Sequence, residues 1–255
     1  MPLRAILFDL WGTLIVDSRE RSGARQAWRT ANVHRALTRC GCDVELEAVD
    51  AALLRLIRTI GSLQDTGKDP GGPGRVELFF ELLGEPSTAF VTEAGRGEVL
   101  EAIGGLRVDH APVLAPGATE ALSALKGAGL RTGLVSNAGV TTAPDLRRLL
   151  DYYGLEPYLD TIVFSDEFRL AKPDPGIFLH ALAVLGTKEG ASAFVGDAPH
   201  NDIAGAQAAG LFAIQIGNKS LDGVEPQARL DTLAELIGVL REQSLLPGVT
   251  ARYRR

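Results

Sequence analysis

The sequence predicts an α/β protein built on an open, doubly wound parallel sheet, with an all-helical segment inserted after the first strand. Three observations carry this expectation. Short apolar runs stop abruptly at polar residues, as buried parallel strands do where their carboxyl ends reach a site. Segments of helical periodicity separate those runs, and that alternation belongs to helices laid on both faces of a parallel sheet. Residues 17–110 break the alternation with helical spacing alone.

The first run, Ala5 to Phe8, ends at Asp9 and is followed by the turn residue Gly12. The insert comes next. Leu46, Val49, Leu53, Leu56, Ile57 and Ile60 follow one helical face and Val76, Phe79, Phe80 and Leu83 another, with Asp69 to Gly74 reading as the loop between them. Ala111 to Gly117, rich in proline, reads as the return hinge. Strands are then expected over Thr132–Val135 before Ser136 and Asn137, Thr161–Phe164 before Ser165 and Asp166, Ala193–Val195 before Gly196 and Asp197, and Leu211–Ile216 before Gly217. Helices are expected over Ala118–Ala128, Leu146–Tyr153, Pro175–Leu185 and Asp202–Ala209, with a last one over Leu230–Leu240. The domain reading is therefore a catalytic core of residues 1–16 and 111–255 with a helical cap of residues 17–110.

Composition narrows the class. A chain of 255 residues with 45% hydrophobic content buries a sizeable core. No apolar stretch approaches the roughly 20 residues that span a bilayer, and the opening Met-Pro-Leu-Arg-Ala lacks a signal-peptide pattern, so a cytoplasmic enzyme with no membrane partner is expected. A net charge of −6 argues against general nucleic-acid binding. Cys40 and Cys42 fit neither a disulfide framework nor a four-ligand zinc site and read as reduced structural thiols. Oligomeric state has no signature.

The chemistry-bearing residues sit where the strands end. Ser136 and Asn137 bring a hydroxyl, an amide and backbone N–H groups suited to phosphate oxygens. In Ala171-Lys172-Pro173-Asp174-Pro175, Asp174 suits a helix cap and Pro175 the first helical position, which fixes Lys172 just ahead of a rigid start. Asp197 and Asp202, one at a strand end and one in the following first turn, can face the same point as Asp9. Three clustered acids repel one another unless a cation holds them, and Mg²⁺ suits such oxygen ligands. His200 reads as an exposed loop residue, because Mg²⁺ prefers oxygen to imidazole.

In order along the chain, Asp9-Leu10-Trp11-Gly12-Thr13, Ser136-Asn137, Lys172-Pro173 and Gly196-Asp197 to Asp202 resemble the motifs of the haloacid dehalogenase superfamily, in the subfamily whose helical cap lies between the first and second motifs. The resemblance implies a Rossmann-like core. It further implies Asp9 as nucleophile, with Asp9, the backbone carbonyl of Trp11, Asp197 and Asp202 around Mg²⁺. Thr13, Ser136, Asn137 and Lys172 would hold the transferring group of a small anionic, phosphorylated substrate, and Lys172 would serve catalysis as well.

Trp11 departs from the pattern. Phosphatases of the superfamily carry a second aspartate there that protonates the leaving alkoxide, and an indole cannot exchange that proton, although the backbone carbonyl survives. The leading expectation is a Mg²⁺-dependent phosphatase working through an aspartyl-phosphate, slowed or restricted to good leaving groups. A 2-haloacid dehalogenase is the enzymatic rival, since halide leaves without a proton and those enzymes carry an aromatic residue at this position; against it stand the Gly196-Asp197 start and their lack of a metal. Phosphonate hydrolysis is a more distant option, and a catalytically impaired phosphate-binding protein is the alternative outside enzymes. Arg21, Arg25 and Arg29 recur every fourth residue and read as a solvated helix face, with a basic stripe drawing an anionic substrate as the alternative.

Overall fold

The computed structural model describes residues 2–247; residue 1 and residues 248–255, which end the two core ranges expected above, lie outside the described residues. In chain order the elements are β1 (Ala5–Phe8), β2 (Ile15–Val16), α1 (Arg19–Arg39), α2 (Leu46–Gln64), α3 (Gly71–Leu83), α4 (Glu93–Gly104) and β3 (Val113–Leu114). Then follow α5 (Ala118–Gly127), β4 (Arg131–Ser136), α6 (Ala143–Tyr152), β5 (Thr161–Phe164), the single turn α7 (Ser165–Phe168) and α8 (Pro175–Val184). The chain continues through β6 (Ser192–Gly196), a π-helical turn (Pro199–Ala204), α9 (Gly205–Ala208), β7 (Phe212–Ile216), β8 (Ala228–Leu230) and α10 (Leu236–Glu242).

Six parallel strands form one sheet in the order β5-β4-β1-β6-β7-β8. The strand order runs outward from β1 to β5 and then returns to β6 on the opposite side of β1. The crevice at such a reversal is where ligands bind in doubly wound sheets, and here it opens at the carboxyl end of β1. Alternation along β1 shows why both faces are covered: Ile6 and Phe8 join one buried cluster and Ala5 and Leu7 another.

The strands β2 and β3 pair antiparallel, Ile15 opposite Leu114, and bracket the four helices α1 to α4. These helices bury a cluster of their own, including Leu37, Leu53, Leu56, Phe79 and Val99. Ser18 caps α1 by accepting a hydrogen bond from Arg21 N, and Thr92 caps α4 through Gly95 N.

Three expectations need correction. Gly71 to Gly74, read as loop, form the first turn of α3, entered through Asp69, whose Oδ1 accepts a hydrogen bond from Gly71 N at 2.8 Å. Leu230 ends the edge strand β8 and does not open the last helix, which begins at Leu236 after a 3₁₀ turn. A three-residue strand is too short for its periodicity to show. Residues 202–209 begin as a π-helical turn from Pro199.

Candidate active site

Backbone register brings the predicted residues together. Phe8 lies between Leu134 of β4 and Val195 of β6, and Asp9 N donates to Val195 O at 2.9 Å, so Asp9 emerges between the ends of its two neighbours. Its side chain meets Lys172, whose Nζ lies 2.5 Å from Asp9 Oδ1 and 2.7 Å from Asp202 Oδ1. Asp9, Lys172 and Asp202 are all buried, and a carboxylate oxygen from each of Asp9, Asp197 and Asp202 lies within 4.8 Å of the others.

Local geometry makes the cluster possible. Asp202 Oδ2 accepts hydrogen bonds from Asp197 N and Ala198 N, each at 2.9 Å, which folds the segment after β6 around it. A Cβ at Gly196 would fall 2.4 Å from that carboxylate, so only glycine permits the approach. Gly12 has φ +78° and faces Asp197 so closely that a Cβ would lie 2.5 Å from its Oδ2. Asp174 caps α8 through Gly176 N at 2.7 Å, and Pro175 follows at the first position, as the sequence predicts.

The Asn137 side chain is tied to the Lys172 backbone. Its Nδ2 donates to Lys172 O at 2.9 Å and its Oδ1 accepts from Lys172 N at 2.8 Å. Both ends of the amide are thereby spent on the Lys172 backbone, and Asn137 aims the lysine. Ser136 is buried at the end of β4 with only a long 3.4 Å contact from its hydroxyl to Asn137 O. The buried Thr13 hydroxyl has no hydrogen-bond partner among the described residues. A buried donor without a partner costs free energy unless a ligand satisfies it.

The electrostatics follow from crowding. Burial first, and then the charges of Asp202 and Asp197, push the Asp9 carboxyl up from its ordinary 3.8 to about 7, against the opposing pull of Lys172. Burial opposes the charge on Lys172, but Asp202 and Asp9 outweigh it and hold the ammonium above its ordinary range. Lys172 is the one buried cation that meets Asp9 and Asp202 among the described residues, and two lysines, counting the exposed Lys219 at Asp197, face three acids.

Several residues that matter here carry no readable signal in the sequence. Lys219 ion-pairs with Asp197 Oδ2 from the loop after β7, and a cavity of about 250 Å³ beside it is lined by Gly12, Thr13, Asp197 and Lys219. Its only mark in the sequence is position, two residues beyond the Gly217 that ends a strand pattern. A larger cavity of about 580 Å³ lies between α1 and the loop after β4, lined by Trp11, Arg19, Arg25, Arg29 and Asn137. Trp11 is half-buried, with the Arg25 guanidinium carbon 5.9 Å from its ring centre.

The arginine stripe is not a solvated face. Arg25 and Arg29 are buried, because α1 packs against the chain entering and leaving the helical segment. Arg25 pairs with Asp17 and donates to His110 O at 2.7 Å, while Arg21 donates to Ala111 O at 3.1 Å. His200 is exposed as expected, and it sits in the π-helical turn, where its ring contacts Asp65 O at 2.9 Å. Cys40 and Cys42 are free thiols.

A doubly wound sheet that buries a lysine between carboxylates at the end of its central strand has the form of an α/β enzyme with its site at the strand ends. A family model of haloacid dehalogenase-like hydrolases matches residues 3–210, and the chain belongs to that family of hydrolases. It is 28% identical over 251 residues to a glyceraldehyde 3-phosphate phosphatase of Methanopyrus kandleri, covering 94% of this chain and 98% of that protein. It is 34% identical over 172 residues to a phosphoserine phosphatase of Thermus thermophilus, covering 67% of this chain and 64% of the other. Among solved structures, a 2-haloacid dehalogenase of Pseudomonas syringae is similar at 25% identity with a TM-score of 0.67, over 94% of this chain and 99% of that one. Among the described residues no helix is long and apolar enough to cross a membrane.

Proposed function

We propose that the protein is a Mg²⁺-dependent phosphatase that transfers the phosphoryl group of a small phosphorylated metabolite to Asp9 and then to water. The observation that carries this reading is Lys172, buried and bonded to both Asp9 and Asp202 while a third carboxylate stands within 4.8 Å. That surplus of negative charge, the unpartnered Thr13 hydroxyl and the two glycines that leave room at Asp197 and Asp202 suit a hard divalent cation and a phosphoryl group side by side. The phosphatases among its relatives support the same choice.

Asp9, Asp197, Asp202 and the carbonyl of Trp11 would hold Mg²⁺. Of these, Asp202 already accepts bonds from Lys172 and two amides, which makes orientation its larger share. Bound there, Mg²⁺ would screen the phosphoryl charge from the acids. Lys172 Nζ holds Asp9 Oδ1, while Asp9 Oδ2 accepts no hydrogen bond among the described residues and is the oxygen presented for attack. A bond forms from Asp9 to phosphorus as the bond from phosphorus to the ester oxygen breaks. The departing oxygen takes its proton from solvent, since position 11 offers none. Water then attacks phosphorus, releasing inorganic phosphate and restoring the Asp9 carboxylate. Lys172 and the Thr13 hydroxyl steady the phosphoryl oxygens, and Asn137 keeps Lys172 in place.

The helices of residues 17–110 act as a cap over this site, with their own hydrophobic cluster and the β2–β3 ribbon at their base. A second reading, haloacid dehalogenation, is favoured by one observation: Trp11 lines the larger cavity beside arginines, an environment suited to a carboxylate with a leaving halide. A panel of alkyl and aryl phosphates and 2-haloacids, run with Mg²⁺ and with chelator, separates the two. Phosphate release that chelation stops supports the phosphatase; turnover confined to haloacids and indifferent to chelation replaces it.

A further inference from the structure

The three arginines of α1 divide their work. Arg21 and Arg25 are spent on the linker, through Ala111 O, His110 O and Asp17. Arg29 differs. It is only 5% exposed and lines the larger cavity, yet its sole hydrogen bond among the described residues runs from Nε to Ile103 O at 2.6 Å, and no carboxylate pairs with it. Asp145, the acid whose charge bears on it, is occupied by Arg148 at 2.9 Å and the Thr142 hydroxyl at 3.0 Å. Burial, and then the neighbouring charge of Arg25, pull the Arg29 guanidinium down to about 10.

A buried guanidinium with its two terminal nitrogens unspent is a bidentate seat for an oxyanion. The cavity it faces is also lined by Trp11, two residues beyond Asp9, and by Asn137, which holds the Lys172 backbone, so it lies next to the acid cluster although none of the acids lines it. Its wall also carries the apolar Leu54, Ile57 and Val140, which fit a short carbon chain, next to the polar Ser22, Gln26 and Thr141. We infer that Arg29 is a second anion seat, and that the substrate is a phosphate ester whose alcohol portion ends in another anionic group, a carboxylate or a second phosphate.

This inference rests on the phosphatase reading of Asp9. It is tested with three-carbon alkyl phosphates that end in a methyl group, a carboxylate or a second phosphate, compared with an aryl phosphate in Mg²⁺. The expected result is that the wild type prefers one of the anionic-ended esters over the methyl-ended one by about tenfold or more in kcat/KM, through KM. Arg29→Met removes that preference and Arg29→Lys keeps part of it. Whichever anionic end is preferred identifies the group. No preference in the wild type, or an unchanged preference in folded Arg29→Met, overturns the anion seat while aryl phosphate turnover leaves the phosphatase standing. If Arg29→Met does not fold, Arg29→Lys and Arg29→Gln decide by the same ratio. Failure of the wild type on every phosphate ester overturns the phosphatase reading, and the inference with it.

Discussion

Two buried polar clusters flank the loop after β4, and they are built on opposite principles. In the first, Asp69 accepts from Gln64 at 2.8 Å, Ser165 at 2.7 Å and Gly71 N at 2.8 Å, and its Oδ1 lies 3.0 Å from Nη1 of the fully buried Arg75. Arg75 in turn donates through Nε and Nη2 to Gly139 O, at 2.9 and 2.7 Å. One acid meets one base and both carboxylate oxygens have donors, while Arg75 Nη1 meets Asp69 as an ion pair without a well-aligned hydrogen bond. In the second, among the described residues, Asp9 and Asp202 share Lys172, Asp197 has only the exposed Lys219, the Thr13 hydroxyl has no partner, and beside the adjoining cavity Arg29 pairs with no acid. A closed network fastens the helical segment to the core. An open one, short of cations on one side and of anions on the other, marks a place for ligands.

Removing the nucleophile gives the largest expected effect. Asp9→Asn lowers turnover of every substrate by at least about 10³-fold, as loss of a covalent nucleophile does, while the circular dichroism spectrum stays unchanged. A folded mutant with near-normal kcat would take Asp9 out of the mechanism.

The closed and open clusters should next part in stability. Arg75→Met strands Asp69 in the interior and is expected to cost about 3–5 kcal/mol in urea denaturation, the usual loss on breaking a buried pair. Arg29→Met, which leaves no acid unpaired, should cost no more than about 1 kcal/mol. Equal losses at the two positions would erase the distinction between the clusters.

Trp11 probes the open site from another side. Trp11→Asp supplies the missing acid, and should raise kcat/KM for alkyl phosphates by about ten- to a hundredfold relative to aryl phosphates, whose leaving groups depart unaided. Thermal melting must first show that the mutant folds. Equal gains on every leaving group would mean that protonation is not what limits turnover.

The smallest effect is a pH dependence in metal-free protein. The folded pKa of Asp9, about 7, lies above its unfolded 3.8, so the folded state binds the proton more tightly. Stability contributed by that proton is fully present below about pH 4 and is lost as pH rises towards 7. Asp9→Asn cannot lose it, and should therefore be more stable than the wild type by about 1–3 kcal/mol at pH 8, with the advantage gone at pH 4. An advantage independent of pH would assign the effect to packing.

Much of this is legible in the amino-acid sequence. Strand ends announce themselves because a buried parallel strand is apolar throughout and turns polar only where it reaches the site, as at Asp9, Ser136 and Asp197, and Asp174-Pro175 marks the start of α8 outright. The arginines on α1 mislead because helical spacing fixes which residues share a face without saying what that face meets. Here it meets the returning chain at His110 and Ala111, 85 to 90 residues on. The tie from Asn137 to the Lys172 backbone is hidden for the same kind of reason, since the two are distant in sequence and close only in the fold. Asp69 and Arg75 give no signal as a pair, since the glycines between them read as a break when they in fact open α3.

The most direct measurement is mass spectrometry of peptides from enzyme quenched in acid during turnover of a phosphate ester with Mg²⁺. The peptide containing Asp9 is expected to carry one added phosphoryl group in the wild type and none in Asp9→Asn. Steady turnover with that peptide unmodified, or with the phosphoryl group on another residue, would contradict a mechanism built on Asp9.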